Sequence, residues 1–385
     1  LEIAPSPCEL VFETGDECPE RGSTLKLPLP ITVLTGFLGS GKSTLLKALL
    51  QHPEMAGTAV IVNEFGEVGI DDALIAHAEE ETVLLPSGCV CCATRGDLVE
   101  ALGRLFAQMQ SGAIPEIGRV VLETSGLADP APIAHTLMTS DELFRYYALD
   151  GVVTTVDAEF GAHQLEAHFE PTKQIAVADR IVVTKTDRVD EATSRALEAR
   201  VRRLNPGADM RRVVMGQTSP ELVTGLAAFE PVAARADAVG WLAADAVAQA
   251  AGHDHDNGHA CSGVDCTHPD HPDPSGHAAS DDHLHDGHQH THGIRSFCLS
   301  FDEPLDGQKL SFGIELLRMT HGDKLLRVKG IAAIAGEPLP FVIHGVQHVF
   351  YPPATLEAWP DANDRRSRFV FITKDLDESA VRRVL

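Results

Sequence analysis

The chain of 385 residues contains no apolar run that approaches the roughly 18 residues needed to cross a bilayer. It is also poor in basic residues, with 31 Lys and Arg against 56 Asp and Glu, and its formal net charge is −25. This excess of acid disfavours binding to nucleic acid or to an anionic membrane, whereas a small cation is a compatible ligand. We therefore expect no nucleic-acid partner and no membrane partner.

The N-terminal stretch lacks the basic start and apolar core of a secretory signal and carries acids, prolines, Cys8 and Cys18 instead. Three of the eight cysteines lie within four residues, at Cys89, Cys91 and Cys92. Such close neighbours cannot easily form disulfides with one another, so the spacing is typical of metal or redox chemistry in a reducing compartment. The predicted location is the cytoplasm.

The length and a hydrophobic content of 44% predict two folded domains. In the first, residues 29–250, short β-branched runs alternate with amphipathic stretches, which predicts an α/β fold with a mostly parallel sheet flanked by helices. The predicted strands are residues 31–35, 59–62, 83–85, 120–122, 152–156 and 181–184, with a further strand at Val213 and Val214. The end of this domain is expected near residues 229–250.

Two segments have the composition of flexible chain. Residues 1–28 are predicted to be an N-terminal arm, and residues 251–293 a linker that contains eleven histidines and almost no apolar residue. The linker either gathers metal ions through its imidazoles or is a plain solvated tether. Residues 294–385 again show strand-like runs and helical patterns, which predict a smaller α+β domain.

A phosphate-binding loop is the firmest motif. Residues 36–43, GFLGSGKS, match GxxxxGKS in full, follow a predicted strand and open a helical pattern. In this setting backbone N–H groups wrap the phosphates at a helix N-terminus, the lysine reaches the β and γ phosphates, and the serine hydroxyl ligates magnesium. The predicted nucleotide-binding residues are Gly36, Gly39, Ser40, Gly41, Lys42, Ser43 and Thr44.

The base is predicted from residues 184–187, TKTD, which follow another strand. The Asp187 carboxylate can accept hydrogen bonds from N1–H and the exocyclic amine of guanine, whereas adenine has no matching donor pair on that edge. We therefore expect Lys185 and Asp187 to bind GTP in preference to ATP. Thr184 stands where the usual guanine motif has Asn, and the alternative is a solvated strand end.

Acidic residues are predicted on the phosphate side. In P-loop NTPases an acid at a strand end holds magnesium directly or through water, and a nearby glycine N–H senses the γ-phosphate. Glu123 and Gly126 occupy these places, and water-mediated contact is expected for a glutamate. Residues 63–72, NEFGEVGIDD, have the position of a switch segment. The predicted catalytic residues are Lys42, Glu64 and Glu123, with Ser43 and Glu123 on the magnesium ion.

The C-x-C-C spacing of Cys89, Cys91 and Cys92 suits tetrahedral binding of a soft or borderline divalent ion. Glu64 or Glu67 could complete the ligand set if the switch segment folds over the cysteines. The alternatives are a redox cysteine pair and small buried side chains.

Together these motifs resemble the signature set of the CobW-like metallochaperone GTPases. Residues 327–330 (RVKG), 344–348 (HGVQH) and 365–368 (RRSR) extend the resemblance into the second domain. It implies a P-loop GTPase domain followed by a CobW-like C-terminal domain. His344 and His348 would share a face in a continuous strand, where they bind a metal or client or have a structural role.

The resemblance also implies a slow GTPase. Mg-GTP would assemble the metal site, and hydrolysis would release the ion, zinc first and cobalt next, to a client apo-metalloprotein. Two rival functions remain open, a metal-buffering protein with little nucleotide coupling and a phosphotransferase with a structural zinc. The oligomeric state, monomer or dimer, is left open.

Overall fold

The computed structural model describes residues 27–62, 95–214, 218–226 and 293–385. The predicted strand at residues 83–85, the cysteine motif, the histidine-rich segment and the predicted end of the first domain lie outside these ranges. None of the helices in the described ranges is long and apolar enough to span a membrane.

The first domain contains a parallel sheet with the strand order β2-β3-β1-β4-β5-β6. Its strands are β1 (Leu29–Gly36), β2 (Thr58–Val62), β3 (Arg119–Glu123), β4 (Tyr147–Asp157), β5 (Arg180–Thr184) and β6 (Asp209–Val213). The predicted α/β class is thereby confirmed. Strands β1 to β5 are longer than the apolar runs that predicted them, because backbone pairing continues into flanking residues such as Thr58, Arg119 and Arg180. The predicted Val214 lies beyond the end of β6.

Helices cover both faces of this sheet. They are α1 (Lys42–Leu49), α2 (Arg95–Gln110), α3 (Ala131–Thr139), α4 (Asp141–Phe144), α5 (Gly161–Ala167), α6 (Glu170–Val177) and α7 (Glu191–Leu204). Successive strand residues point to opposite faces, so Val33 packs in the core with α2 and α3 while Leu34 packs in the core with α1. Burial on both faces explains why β1 to β5 contain continuous apolar runs, whereas the edge strand β6 carries the exposed Arg211 and Arg212.

The second domain is an antiparallel sheet with two helices on it. The strands are β7 (Ile294–Phe301), β8 (Leu325–Ala332), β9 (Phe341–Val346), β10 (Val349–Phe350), β11 (Ala354–Thr355) and β12 (Ser367–Lys374), and the helices are α8 (Gly307–His321) and α9 (Glu378–Arg382). The order is β10-β9-β8-β12-β7, with β11 on β9. Leu310 and Leu317 of α8 and Val381 of α9 pack against Phe369 and Phe371. The predicted α+β character is confirmed.

A buried carboxylate joins the two domains. Asp179, just before β5, pairs with Arg327 and lies 3.1 Å from Lys329 Nζ, and both cations belong to β8. Its other oxygen accepts a hydrogen bond from Val152 N on β4 at 3.0 Å. All three charged side chains are at most 5% exposed. One acid therefore fixes a strand of the first sheet against a strand of the second.

Two histidines of the second domain also lie close to groups of the first domain. His344 is buried on β9, and burial together with the charges of Lys329 and Arg327 lowers its pKa to about 3. His348 lies in the turn between β9 and β10, and its ring centroid is 4.6 Å from that of His135 on α3. The strand ends at Val346, so the continuous strand on which the two histidines would share a face is not formed.

We expect Asp179→Asn to lower the free energy of unfolding by about 3–5 kcal/mol, because it removes the carboxylate shared by two buried cations. Burial alone would raise the pKa of Asp179, but Arg327 and Lys329 outweigh it and hold the pKa below its usual range. The stabilisation is therefore complete above the unfolded pKa of about 3.9 and is lost as the pH falls below it.

Urea unfolding at pH 7 and at about pH 3, below the unfolded pKa, measures both effects. The control is Asp209→Asn, which breaks a more exposed pair with Arg180 at 2.9 Å and should cost less than about 1 kcal/mol. Equal losses for the two variants would contradict the prediction.

Candidate functional site

The phosphate-binding loop leaves the carboxyl end of β1, the central strand with β3 on one side and β4 on the other. A Cβ atom at Gly36 would lie 2.2 Å from Thr155 Oγ1, so only glycine fits there. The Lys42 ammonium, on the first residue of α1, donates to Gly36 O at 2.8 Å and to Phe37 O at 3.3 Å. The loop therefore curls around its own lysine at the N-terminus of a helix.

Side chains from two neighbouring strands tie this loop down. Ser40 Oγ lies 2.6 Å from Thr155 Oγ1 at the end of β4. Thr184 Oγ1, at the end of β5, donates to Ser40 O at 2.8 Å. The Thr184 hydroxyl thus connects the predicted base-recognition segment to the phosphate loop, although Thr184 stands where the usual motif has Asn.

The predicted magnesium ligands meet at the end of β3. Ser43 Oγ donates to Glu123 Oε1 at 2.6 Å, and Glu123 is 5% exposed. A hydroxyl and a carboxylate at this distance are hard oxygen donors of the kind that Mg²⁺ prefers, with room for water and phosphate ligands to complete its octahedron. These residues therefore fit a magnesium ion.

An open cleft of about 180 Å³ lies over the loop. The structure brings five of the predicted site residues to its walls: Gly39, Lys42, Ser43, Glu123 and Gly126. Val62, the last residue of β2, also lines it. The cleft offers a lysine, a helix N-terminus and a hydroxyl–carboxylate pair, which is the chemistry needed for a triphosphate and its metal.

A second cavity of about 170 Å³ lies on the other side of α1. Four predicted residues line it: Gly41, Thr44, Lys185 and Asp187. Leu45, Ala48 and Val213 supply an apolar wall. An apolar slot with one carboxylate at its rim can hold the flat face of a purine and pair with its edge.

Lys185 is held by a residue that sequence reasoning did not select. Its ammonium donates to Gly39 O at 2.8 Å and to Asp157 Oδ2 at 2.6 Å. The Asp157 side chain is 1% exposed, and its other oxygen accepts from the backbone N–H groups of Glu159 and Phe160 at 2.8 and 3.3 Å. Lys185 itself has a left-handed backbone with φ of 57°. Asp157 thus fixes a lysine that bridges the base side and the phosphate loop.

A signal for Asp157 and Thr155 was present in the sequence. Both lie at or next to the carboxyl end of the predicted strand 152–156, where a parallel sheet gathers its binding residues. The predicted residues Glu64, Glu67, Cys89, Cys91 and Cys92 lie outside the described residues. Among the residues that the structure describes, no group of three or more potential metal-ligating side chains occurs.

We expect Asp157→Asn to weaken GDP binding by about tenfold, because Lys185 loses the buried charge that orients it. Titration with a fluorescent GDP analogue measures this change. Glu159→Gln is the matched control. Glu159 lies two residues from Asp157 in the sequence and forms a more exposed ion pair with Arg188 at 3.4 Å. A control that weakens binding as much as Asp157→Asn would show that the effect is not specific to the Lys185 contact.

Two protein-family models match this chain, one in each domain. Residues 30–212 match the CobW/HypB/UreG nucleotide-binding domain, and residues 294–385 match the cobalamin synthesis protein cobW C-terminal domain. The two matches begin within one residue of β1 and at the first residue of β7. They therefore follow the two sheets.

Individual relatives align over most of the chain. The zinc chaperone YjiA of Escherichia coli is 32% identical over 355 residues, which are 92% of this chain and 97% of YjiA. The zinc chaperone CobW of Pseudomonas aeruginosa is 29% identical over 409 aligned residues, covering 97% of this chain and 96% of that protein.

A solved structure has the same architecture. The crystal structure of the Zn(II)-bound YjiA GTPase from E. coli superposes with a TM-score of 0.64 at 29% identity, covering 93% of this chain and 98% of YjiA. The family predicted from the motifs is confirmed by these matches. The chain belongs to the CobW/HypB/UreG family of P-loop GTPases and carries the CobW C-terminal domain after its nucleotide-binding domain.

Proposed function

We propose that this GTPase holds a divalent transition metal at Cys89, Cys91 and Cys92 in its Mg-GTP state and releases the ion to a client apo-metalloprotein after hydrolysis. The observation that carries the proposal is the position of Val62. It lines the phosphate cleft at the end of β2, and the chain that follows it in the sequence contains the cysteines.

The register of the sheet supports a link between the two sites. Val62 pairs with Glu123 across β2 and β3, and Glu123 bonds to Ser43. Glu64 follows Val62 by two residues in the sequence, and the same segment leads on to the cysteines. We assign Glu64 and Glu67 to the metal site together with the three cysteines.

Residues around the phosphate cleft are assigned to individual steps of GTP hydrolysis. Lys42 neutralises the β and γ phosphates, and the backbone of residues 39–43 binds their oxygens. Ser43 and Glu123 would hold magnesium, which supplies charge stabilisation on the phosphate oxygens when bound. A water molecule attacks the terminal phosphorus, the bond to the β-phosphate oxygen breaks, and GDP and inorganic phosphate leave. We assign Lys42, Glu64 and Glu123 to this step and Gly126 to the recognition of the terminal phosphate.

Zinc is the metal we propose first, and cobalt is next. Thiolates are soft ligands that bind zinc in tetrahedral sites, often with nitrogen or oxygen donors completing the set. Two relatives over most of this chain are named zinc chaperones, and a related structure was solved with Zn(II) bound. A protein that delivers its metal needs an affinity that changes on demand, and loss of the γ-phosphate is the change that this fold provides.

Linkage between metal and nucleotide is the decisive prediction. We expect Zn(II) and Co(II) to bind more tightly with Mg-GTP than with Mg-GDP or no nucleotide, by a factor of roughly 5–150, the usual range for coupled sites. Competition with a chromophoric chelator measures zinc binding, and the thiolate charge-transfer absorption reports cobalt. Cys91→Ser and Cys92→Ser should abolish the tight site, because serine does not supply a thiolate ligand.

Cys298→Ser is the matched control, since Cys298 lies on β7 of the second domain. This variant should bind metal as the unaltered chain does. Equal metal affinity in every nucleotide state would support a metal buffer and overturn the proposal. A metal that never leaves, together with phosphate transfer to a second acceptor, would support a phosphotransferase.

Base selectivity tests the assignment of Asp187. We expect Asp187→Asn to weaken GTP binding by roughly ten- to a hundredfold, because hydrogen bonds to a charged group contribute about 1.5–3 kcal/mol. The Asn amide can donate to the C2 carbonyl of xanthine, so the variant should bind XTP better than the unaltered chain does. Isothermal titration with GTP, XTP and ATP measures the three affinities.

Asp190→Asn is the control for this experiment. Asp190 is three residues away and caps α7 by accepting from Thr193 N at 2.7 Å. It should change none of the three affinities. If Asp187→Asn leaves GTP binding intact, the carboxylate does not read the base.

A further inference from the structure

Two adjacent side chains of α6 hold the loop that follows β3. Gln174 is fully buried, and its Nε2 donates to Gly126 O at 3.1 Å and to Ala128 O at 3.0 Å. Lys173 forms an ion pair with Asp129 of the same loop. The amide thus uses both of its hydrogens on one loop, one on each carbonyl. The loop is held at three points by one turn of helix.

The position of this loop decides the shape of the phosphate cleft. A Cβ atom at Gly126 would lie 2.6 Å from Leu38 Cδ2 and 2.7 Å from Leu38 N. The loop therefore rests directly on the backbone of the phosphate-binding loop. Both Leu38 and Gly126 line the cleft, so a displacement of a few tenths of an ångström in this loop alters the space for the terminal phosphate.

The helix that carries Gln174 is itself fixed at its far end. Asn205 Nδ2 donates to Ile175 O at 2.8 Å and to Ala178 O at 2.9 Å. Asp179, which follows directly, is bound by Arg327 of the second domain. Asn205 therefore holds only the C-terminal end of α6, whereas Gln174 bonds to the loop directly.

We propose that Gln174, with its neighbour Lys173, is a positioning residue for recognition of the γ-phosphate. It fixes the backbone at Gly126 so that the N–H of this glycine meets the terminal phosphate without a cost in reorganisation. The proposal rests on the role of Gly126 in the proposed function. GDP lacks the group that this N–H recognises, so Gln174 contributes to the binding of GTP and little to that of GDP.

The test compares two nucleotides on one variant. Gln174→Met keeps the length of the side chain and removes the donor. Isothermal titration with Mg²⁺ and either GDP or a non-hydrolysable GTP analogue, without any transition metal, measures the ratio of the two affinities. We expect the preference for the triphosphate to fall by about three- to tenfold, the range for loss of one or two buried hydrogen bonds.

Asn205→Leu is the matched control, because it removes a buried amide that serves the same helix away from the loop. It should lower the midpoint of urea unfolding as Gln174→Met does and leave the nucleotide ratio unchanged. If Gln174→Met weakens both nucleotides equally, or if Asn205→Leu changes the ratio as much, Gln174 is only a structural residue and the proposal is overturned.

Amide hydrogen exchange gives a second readout that needs no nucleotide. Gln174→Met should speed exchange in residues 124–129, whereas Asn205→Leu should speed it only near the end of α6. If Gln174→Met does not fold, Lys173→Met takes its place, because it removes the half-buried ion pair with Asp129. We then expect the nucleotide ratio to fall in Lys173→Met and to be restored in Lys173→Arg. An unchanged ratio in Lys173→Met would then overturn the proposal.

The failure of this inference is distinguishable from failure of the proposed function. The nucleotide ratio is measured without a transition metal, so it does not depend on whether metal and nucleotide are coupled. Metal affinity that ignores the nucleotide would overturn the chaperone function alone. A normal nucleotide ratio in the Gln174→Met protein would overturn the inference alone.

Discussion

The buried carboxylate of Asp179 is the constraint on which the arrangement of both domains depends. It must satisfy Arg327 and Lys329 and also the backbone N–H of Val152. Its own N–H donates to Val152 O at 2.8 Å, and its carbonyl accepts from Asp209 N at 3.1 Å. A buried ion cluster is stable only when its geometry is met on every side, so β4, β5, β6 and β8 are held in one relative position.

The same constraint reaches the nucleotide site. Strand β5 starts at the residue after Asp179 and ends at Thr184, which bonds to the phosphate loop. Helix α6 ends two residues before Asp179, and Gln174 near its middle holds the loop at Gly126. Helix α3, which follows that loop, contacts the second domain through His135 and His348. The second domain is thus in contact with α6, which holds the Gly126 loop, and with α3, which follows that loop.

The proposed coupling between metal binding and nucleotide binding has consequences that can be measured at both sites. If GTP tightens metal binding, metal must tighten GTP binding by the same factor, because the two share one free-energy cycle. Thiolate ligands must lose their protons before they bind, so metal affinity should weaken in acid as well. The loss of stability on protonation of Asp179 arises at the domain contact and begins only below about pH 3.9. The two pH effects can therefore be separated.

Local chemistry made much of this protein predictable from its sequence. The phosphate loop, the acid that ends β3 and the TKTD segment each need certain residue types at or next to a strand end, so they can be recognised without coordinates. The buried strands β1 to β5 were predicted because apolar runs are required wherever a sheet is buried on both faces. The family followed from the order and spacing of these motifs.

Tertiary structure alone decided how distant residues meet. Asp157 and Lys185 are 28 residues apart, Gln174 and Gly126 are 48 apart, and Arg327 and Asp179 are 148 apart. No local sequence pattern indicates such pairs, because each partner looks like an ordinary polar residue in the sequence. Only the fold buries the two side chains and brings them into contact. The sequence by itself determined which chemistry is available at each strand end, and the packing of the elements decided which buried groups hold that chemistry in place.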